Sequence, residues 1–253
     1  MDAASSPRPR VVLTTLAGVD GRITLRRDQR LLDPAVGGRW REAWPDDVEG
    51  LLRRRDAWVE DRHHPTVRLE GSGTFVPDGA VSPWAEPGGP WDHRDHLPRR
   101  APRWFVVVDG RGRMEWTRTG DDETALLLLV CRSTPPGYLA RLRELGVGWL
   151  VCGERRVELG TALRRLGAEL GVRCVRADGG GGINGALVRA GLVDELHVVT
   201  MPILVGGAGT PTFLDGDPMA PDGVPVRLRV VATQGGAEGS VWTHYEVVRP
   251  SRV

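Results

Sequence analysis

The sequence predicts an α/β fold of three layers (αβα), with a mostly parallel central sheet and an antiparallel hairpin at its C-terminal edge. Three observations carry this. Residues 104–205 alternate short apolar runs with segments of helical period. The apolar runs are near-continuous, the pattern of strands buried on both faces by crossover helices. Two further strand-like runs, 226–233 and 240–248, flank a glycine-containing turn with no helix between them.

The elements follow in order. Residues 1–9 are polar and read as a disordered tail, and residues 10–249 as a single domain. RVVLTTL at 10–16 is a first buried strand, and 46–59, rich in Leu, Arg and Glu, is a helix. A short strand at 66–69 ends near Gly71. Residues 75–103 hold Pro77, Pro83, Pro87, Pro90, Pro98 and Pro102, with Trp84 and Trp91, and read as irregular. Long ordered loops are more often functional than accidental. Strands follow at 104–108, stopped by Asp109-Gly110, and at 125–131. Pro136 opens a helix that carries Leu139, Leu142 and Leu145 on one face and stops at Gly146. Then come a strand at 147–152, a helix at 158–170 ended by Gly171, and a strand at 172–177. A short helix at 183–190 and a long apolar strand at 196–205 complete the alternation.

Composition removes several classes of chemistry. All 34 basic residues are arginine, so no lysine can form a Schiff base or serve a phosphate loop. Net charge is +1, which favours neither nucleic acid nor an anionic membrane as partner. No apolar run approaches the length of a membrane span, and the N-terminus lacks the apolar stretch of a secretory signal. Cys131, Cys152 and Cys174 each fall in or at the end of an apolar run and read as reduced core residues of a cytoplasmic protein. His93 and His96, with His63 and His64 upstream, have no third ligand at a standard interval, so no metal site is read. Arg53, Arg54 and Arg55 read as a solvated helix face.

The most informative stretch is VRADGGGGINGALV at 175–188. A strand ends, four glycines follow, and a helix starts. Gly180, Gly182 and Gly185 satisfy G-x-G-x-x-G. Free amides at a helix N-terminus carry partial positive charge and suit a diphosphate, and glycine lets the backbone approach it. Asn184 could orient this loop or contact a ligand. The loop is not a Rossmann fingerprint. It lies late in the chain, and no acidic residue stands about 20 positions on to hold a ribose.

GGGGINGALVRAGLVDELHVVTMPILVGG at 179–207 resembles the signature of the riboflavin-pathway reductases, which have the dihydrofolate-reductase fold. AGVDGR at 17–22 resembles their A-S-L-D-G-[KR] motif, and GSGT at 71–74 their G-x-G-T turn. The resemblance implies a homodimer that uses NADPH to reduce a ribosylaminopyrimidine 5′-phosphate to its ribitylamino product, with hydride passing to the sugar C1′. It implies that Gly71, Gly73 and Thr74 border the nicotinamide half of the cofactor and that Gly153 lies at the adenosine side. It implies that Gly180, Gly181, Gly182 and Ile183 take the diphosphate. Asp20 would contact the substrate near the reacting carbon, and Asp178 aligns with an acidic family position. Arg22 keeps a cation beside Asp20, and Arg39 and Arg41 could grip a substrate phosphate or sit in a solvated loop. Gly18 stands where the family usually has serine. Two alternatives stay open: a same-fold reductase with a specialised-metabolite substrate, and a non-catalytic nucleotide-binding protein.

Overall fold

The computed structural model describes residues 8–77, 79–84 and 93–249. In chain order the elements begin β1 (Arg10–Gly18), α1 (Pro34–Glu42), α2 (Val48–His63), β2 (Val67–Gly71), β3 (Arg103–Val108) and β4 (Thr124–Val130). They continue α3 (Pro136–Glu144), β5 (Gly148–Val151), α4 (Leu159–Leu170), β6 (Cys174–Ala177), α5 (Gly181–Arg189), β7 (Glu195–Met201), β8 (Leu228–Gly235) and β9 (Val241–Val247). The chain divides into two compact units. Of the described residues, 8–9 and those of 65–175 form the first; 10–64 and 176–249 form the second.

In the first unit four strands run parallel in the order β5-β4-β3-β2. The leucine run of β4 is buried throughout, as expected for a strand covered on both faces. Its Leu126 and Leu128 pack with Tyr138, Leu139 and Leu142 of α3 and with Trp149 of β5. Trp149 is fully buried, and its indole N–H donates to the Arg94 carbonyl at 2.9 Å. Trp149→Ala should therefore cost about 3–5 kcal/mol in a denaturant melt; a loss below about 1 kcal/mol would contradict this packing.

The second unit orders its strands β1-β7-β9-β8. β1 and β7 are parallel, and β9 is antiparallel to both β7 and β8. The C-terminal hairpin is thus where the turn signals put it. All eight residues of β8 are exposed. Among the described residues no helix is long and apolar enough to cross a membrane.

Several element readings need correction, among them the helix read at 46–59, which runs over Val48–His63. Residues 34–42 were not expected to be helical, and α1 stands there. Asp33 is its N-cap and accepts from Ala35 N at 2.9 Å and Val36 N at 3.3 Å, with Pro34 in the first turn. The glycine pair masked this signal: a Cβ on Gly37 would lie 2.5 Å from the Leu31 carbonyl oxygen, so close approach demands glycine inside a helix. Asp33→Ala should cost about 1 kcal/mol. An unchanged chemical-denaturation midpoint would remove the cap. The strand expected at 196–205 ends at Met201, because Pro202 has no N–H for the ladder. The strand expected from 172 starts at Cys174, because Val172 N still closes α4 by donating to Leu166 O at 3.3 Å.

The described part of the proline-rich segment has a clear role. His96 exchanges backbone hydrogen bonds with Trp149, and Asp95 Oδ1 accepts from Val151 N at 2.8 Å. Residues 95–96 therefore cover the open edge of β5. Trp91 and the prolines at 87 and 90 lie outside the described residues. Residues 1–7 of the expected tail do so as well.

Candidate active site

In the second unit, α5 begins two residues earlier than expected, so Gly181, Gly182 and Ile183 form its first turn. Gly180 is the N-cap, and no side chain caps the helix. Helix geometry leaves these leading N–H groups without intrahelical acceptors. Gly180, Gly181, Gly182 and Gly185 are there for different reasons. A Cβ on Gly181 would lie 2.2 Å from the Thr212 carbonyl oxygen, and one on Gly185 2.0 Å from that of Asp215. Those two are glycine because the 212–215 segment packs against α5. A Cβ on Gly180 or Gly182 would meet nothing within 4 Å. Neither has positive φ, so the chain itself gives no reason for glycine there. The open space fits a ligand approaching the backbone from outside.

Asn184 is fully buried and donates from Nδ2 to the Gly179 carbonyl at 2.8 Å. It orients the loop. Its Oδ1 has no partner among the described residues. Asp178, at the end of β6, accepts from Arg176 Nε at 2.9 Å and from the Thr14 hydroxyl. Arg176 also reaches Asp56 at 2.9 Å, so the Asp178 carboxylate is held within an arginine–aspartate network. Arg176 and Thr14 were missed in the sequence. The alternation of a strand puts Arg176 and Asp178 on one face, which was a usable signal.

Asp20 lies in the turn after β1. Its Oδ2 accepts from Gly206 N at 2.7 Å and Val205 N at 3.1 Å, and Oδ1 from Arg22 N at 3.3 Å. Burial pushes its carboxyl up, but these amides outweigh it and hold it below the usual carboxylate range. Asp20 thus latches the glycine-rich segment after β7 to the turn after β1. The departure at Gly18 has a local cause. A Cβ there would stand 2.8 Å from the Ile203 carbonyl oxygen and 3.0 Å from Asp20 Oδ1, so serine has no room. The Arg22 guanidinium donates to the Thr210 carbonyl. Arg39 and Arg41 are exposed on the last turn of α1 rather than in a loop, and Arg39 reaches Gln29 Oε1 at 3.3 Å.

In the first unit, β2 ends at Gly71 and a 3₁₀ turn covers Ser72–Thr74. Gly73 is exposed, and a Cβ on it would meet nothing within 4 Å. Thr74 Oγ1 is buried without a partner among the described residues. Arg113, unseen in the sequence reading, donates to Ser72 Oγ at 2.7 Å and Pro77 O at 3.1 Å, fixing this turn. Gly153 has φ +124, and a Cβ would lie 2.3 Å from Arg156 O. Its turn therefore requires glycine. It lines a cleft of about 670 Å³ together with His93, Arg94, Asp95, Arg132, Glu154 and Arg165. His93 Nε2 lies 3.3 Å from the Thr134 carbonyl oxygen, whereas the His96 ring lies tilted against Trp149 with ring centroids 4.7 Å apart. Cys131, Cys152 and Cys174 are buried free thiols. Burial pushes the Cys152 thiol up to about 12, which removes it as a nucleophile.

The RibD C-terminal domain profile matches residues 9–241. The 2,5-diamino-6-ribosylamino-4(3H)-pyrimidinone 5′-phosphate reductase of Methanothermobacter thermautotrophicus is 36% identical over 134 residues, 51% of this chain and 61% of that protein. The protein of the same name from Archaeoglobus fulgidus is 37% identical over 113 residues, covering 44% of this chain and 51% of that one. The matches thus span only 61% and 51% of the length of these curated relatives. A pyrimidine reductase-like protein from Corynebacterium diphtheriae superposes with a TM-score of 0.65 at 16% identity, over 96% of this chain and 93% of that one. The riboflavin biosynthesis reductase Rib7 of Saccharomyces cerevisiae does so with a TM-score of 0.57 at 16% identity, over 95% and 90%. These likenesses fix the three-layer α/β architecture, and the matched profile gives its family: the chain belongs to the RibD C-terminal domain family.

Proposed function

We propose that this protein is an NADPH-dependent reductase that converts a ribosylaminopyrimidine 5′-phosphate to its ribitylamino product. The observation that carries the reading is the N-terminus of α5. Its leading amides are uncapped, and Gly180 and Gly182 open onto space that the chain does not use. A diphosphate there would take N–H donors and the positive end of the helix dipole. Asn184 holds the loop in shape from behind. In the first unit, taken by itself, Thr74 Oγ1 is buried without a partner among the described residues and Gly153 borders a cleft.

When bound, the cofactor supplies the hydride. The chain's own task is to hold the acceptor carbon close and to stabilise the cationic imine that receives it. Asp20 is kept ionised by backbone amides, so it would oppose that positive charge while holding its loop in place. Asp178 would hold sugar hydroxyls, and Arg22, Arg39 and Arg41 are the candidates for the substrate phosphate. With no lysine in the chain, arginines are the permanently cationic side chains available to a phosphate. We further propose a homodimer. It is supported by β8, an edge strand exposed along its whole length with the apolar Leu228, Val230 and Val231 among its exposed residues. A monomer mass by light scattering would contradict that part.

The experiment for the activity is NADPH oxidation followed at the nicotinamide absorbance, with the amino and the deaminated ribosylaminopyrimidine 5′-phosphates as separate substrates. Oxidation dependent on either one supports the reading. NADPH binding without oxidation by either would overturn it in favour of another substrate or a binding role.

A further inference from the structure

A second cluster of chemically able side chains lies in the second unit, and the reductase reading does not use it. Glu195 and His197 stand two apart on β7 and so share a face. His244 of β9 is the direct cross-strand partner of His197. All three are buried, at 2%, 0% and 3% exposure. One potential ligand atom from each lies within 4.8 Å of those of the other two.

Hydrogen bonding does not account for this arrangement. Glu195 Oε1 accepts from Arg10 Nε at 2.8 Å. The other oxygen, Oε2, has His63 Nε2 at 2.9 Å and His197 Nε2 at 3.4 Å. A carboxylate oxygen has two in-plane lone pairs, and those two imidazoles use them. The third imidazole is surplus. His244 Nε2 sits 3.2 Å from Oε2 but out of line for a hydrogen bond, and it has no hydrogen-bond partner among the described residues. A buried polar nitrogen left in this state carries a desolvation cost. Side-by-side donors 3.2 and 3.4 Å apart match the edge of a tetrahedron whose metal–ligand bonds are about 2.0–2.1 Å.

We propose that Glu195, His197 and His244 form a binding site for a borderline divalent cation of the zinc class, a structural clamp between β7 and β9. Two imidazoles and one carboxylate suit that ion class rather than magnesium or calcium. Binding has one local consequence. His197 Nδ1 now accepts from the Trp242 indole N–H at 3.3 Å, which puts the imidazole proton on Nε2. A cation on Nε2 shifts that proton to Nδ1 and breaks the Trp242 bond. Uptake is thus read twice, once as bound metal and once in the Trp242 environment.

The test uses the full chain without an affinity tag, stripped with chelator and then dialysed against micromolar zinc. Elemental analysis should find close to one zinc per chain, with a change in tryptophan fluorescence that Trp242→Phe reduces without removing the metal; Trp58, which packs on His197 and His244, accounts for the remainder. His244→Gln should weaken zinc binding by at least about tenfold. Zinc no higher than in the buffer blank, or equal uptake by His244→Gln, would overturn the proposal; the latter would put the metal on exposed histidines. Should the variant fail to fold, cobalt substitution of the wild-type chain decides. A strong visible band of four-coordinate cobalt supports the site, and its absence overturns it. None of these readouts depends on reductase activity.

Discussion

Gly182→Glu is expected to raise the NADPH dissociation constant at least about tenfold, or ~1.4 kcal/mol, while moving the thermal midpoint by no more than about 2 °C. The asymmetry follows from which glycines the fold needs. A Cβ on Gly182 meets nothing within 4 Å, so a side chain can leave the backbone there without a clash. A carboxylate there would stand where a diphosphate is proposed, at the same helix N-terminus. Gly181 gives the contrast. Its Cβ would lie 2.2 Å from a backbone oxygen of Thr212, which cannot swing aside. Gly181→Ala should therefore cost about 1–3 kcal/mol of stability through overpacking. A substitution at Gly181 would confuse folding with binding, and one at Gly182 separates them. NADPH fluorescence titration together with thermal melts checks both. Unchanged affinity in Gly182→Glu would move the diphosphate away from this loop.

Asp20→Asn is expected to lower kcat at least about a hundredfold while leaving NADPH affinity unchanged. The carboxamide keeps one oxygen that can still accept from Val205 N and Gly206 N, so the latch loosens without opening. What it loses is the negative charge available to a cationic imine. Steady-state kinetics divide the two roles of Asp20. A drop in kcat assigns charge stabilisation. A rise in substrate KM alone assigns the residue to holding its loop. Full activity removes it from the mechanism.

Much of this was legible in the residues, for identifiable reasons. The parallel strands of the first unit are continuous apolar runs bounded by Gly and Pro, and periodicity finds such runs. The four-glycine stretch announced the helix N-terminus, although the helix begins at Gly181 rather than Ile183. Glycine there lowers helix propensity, while the segment Thr212–Asp215 packs against the turn and holds it. α1 was missed because Gly37 and Gly38 argued against a helix more loudly than Asp33-Pro34 argued for one. The resemblance put Asp20 near the substrate, but its role as a latch was not legible. Its partners at Val205 and Gly206 come from the far end of the chain, and backbone amides leave no trace in a sequence. The pairing of His197 with His244 depends in the same way on the register between β7 and β9.

The central claim is hydride transfer to the sugar carbon. The direct measurement supplies NADPH carrying deuterium at the transferable C4 position, together with the ribosylaminopyrimidine 5′-phosphate, and locates the label by mass spectrometry and NMR. The reductase reading predicts a ribitylamino product with one deuterium at C1′. Product without deuterium at that carbon, or no product under saturating cofactor, would contradict it.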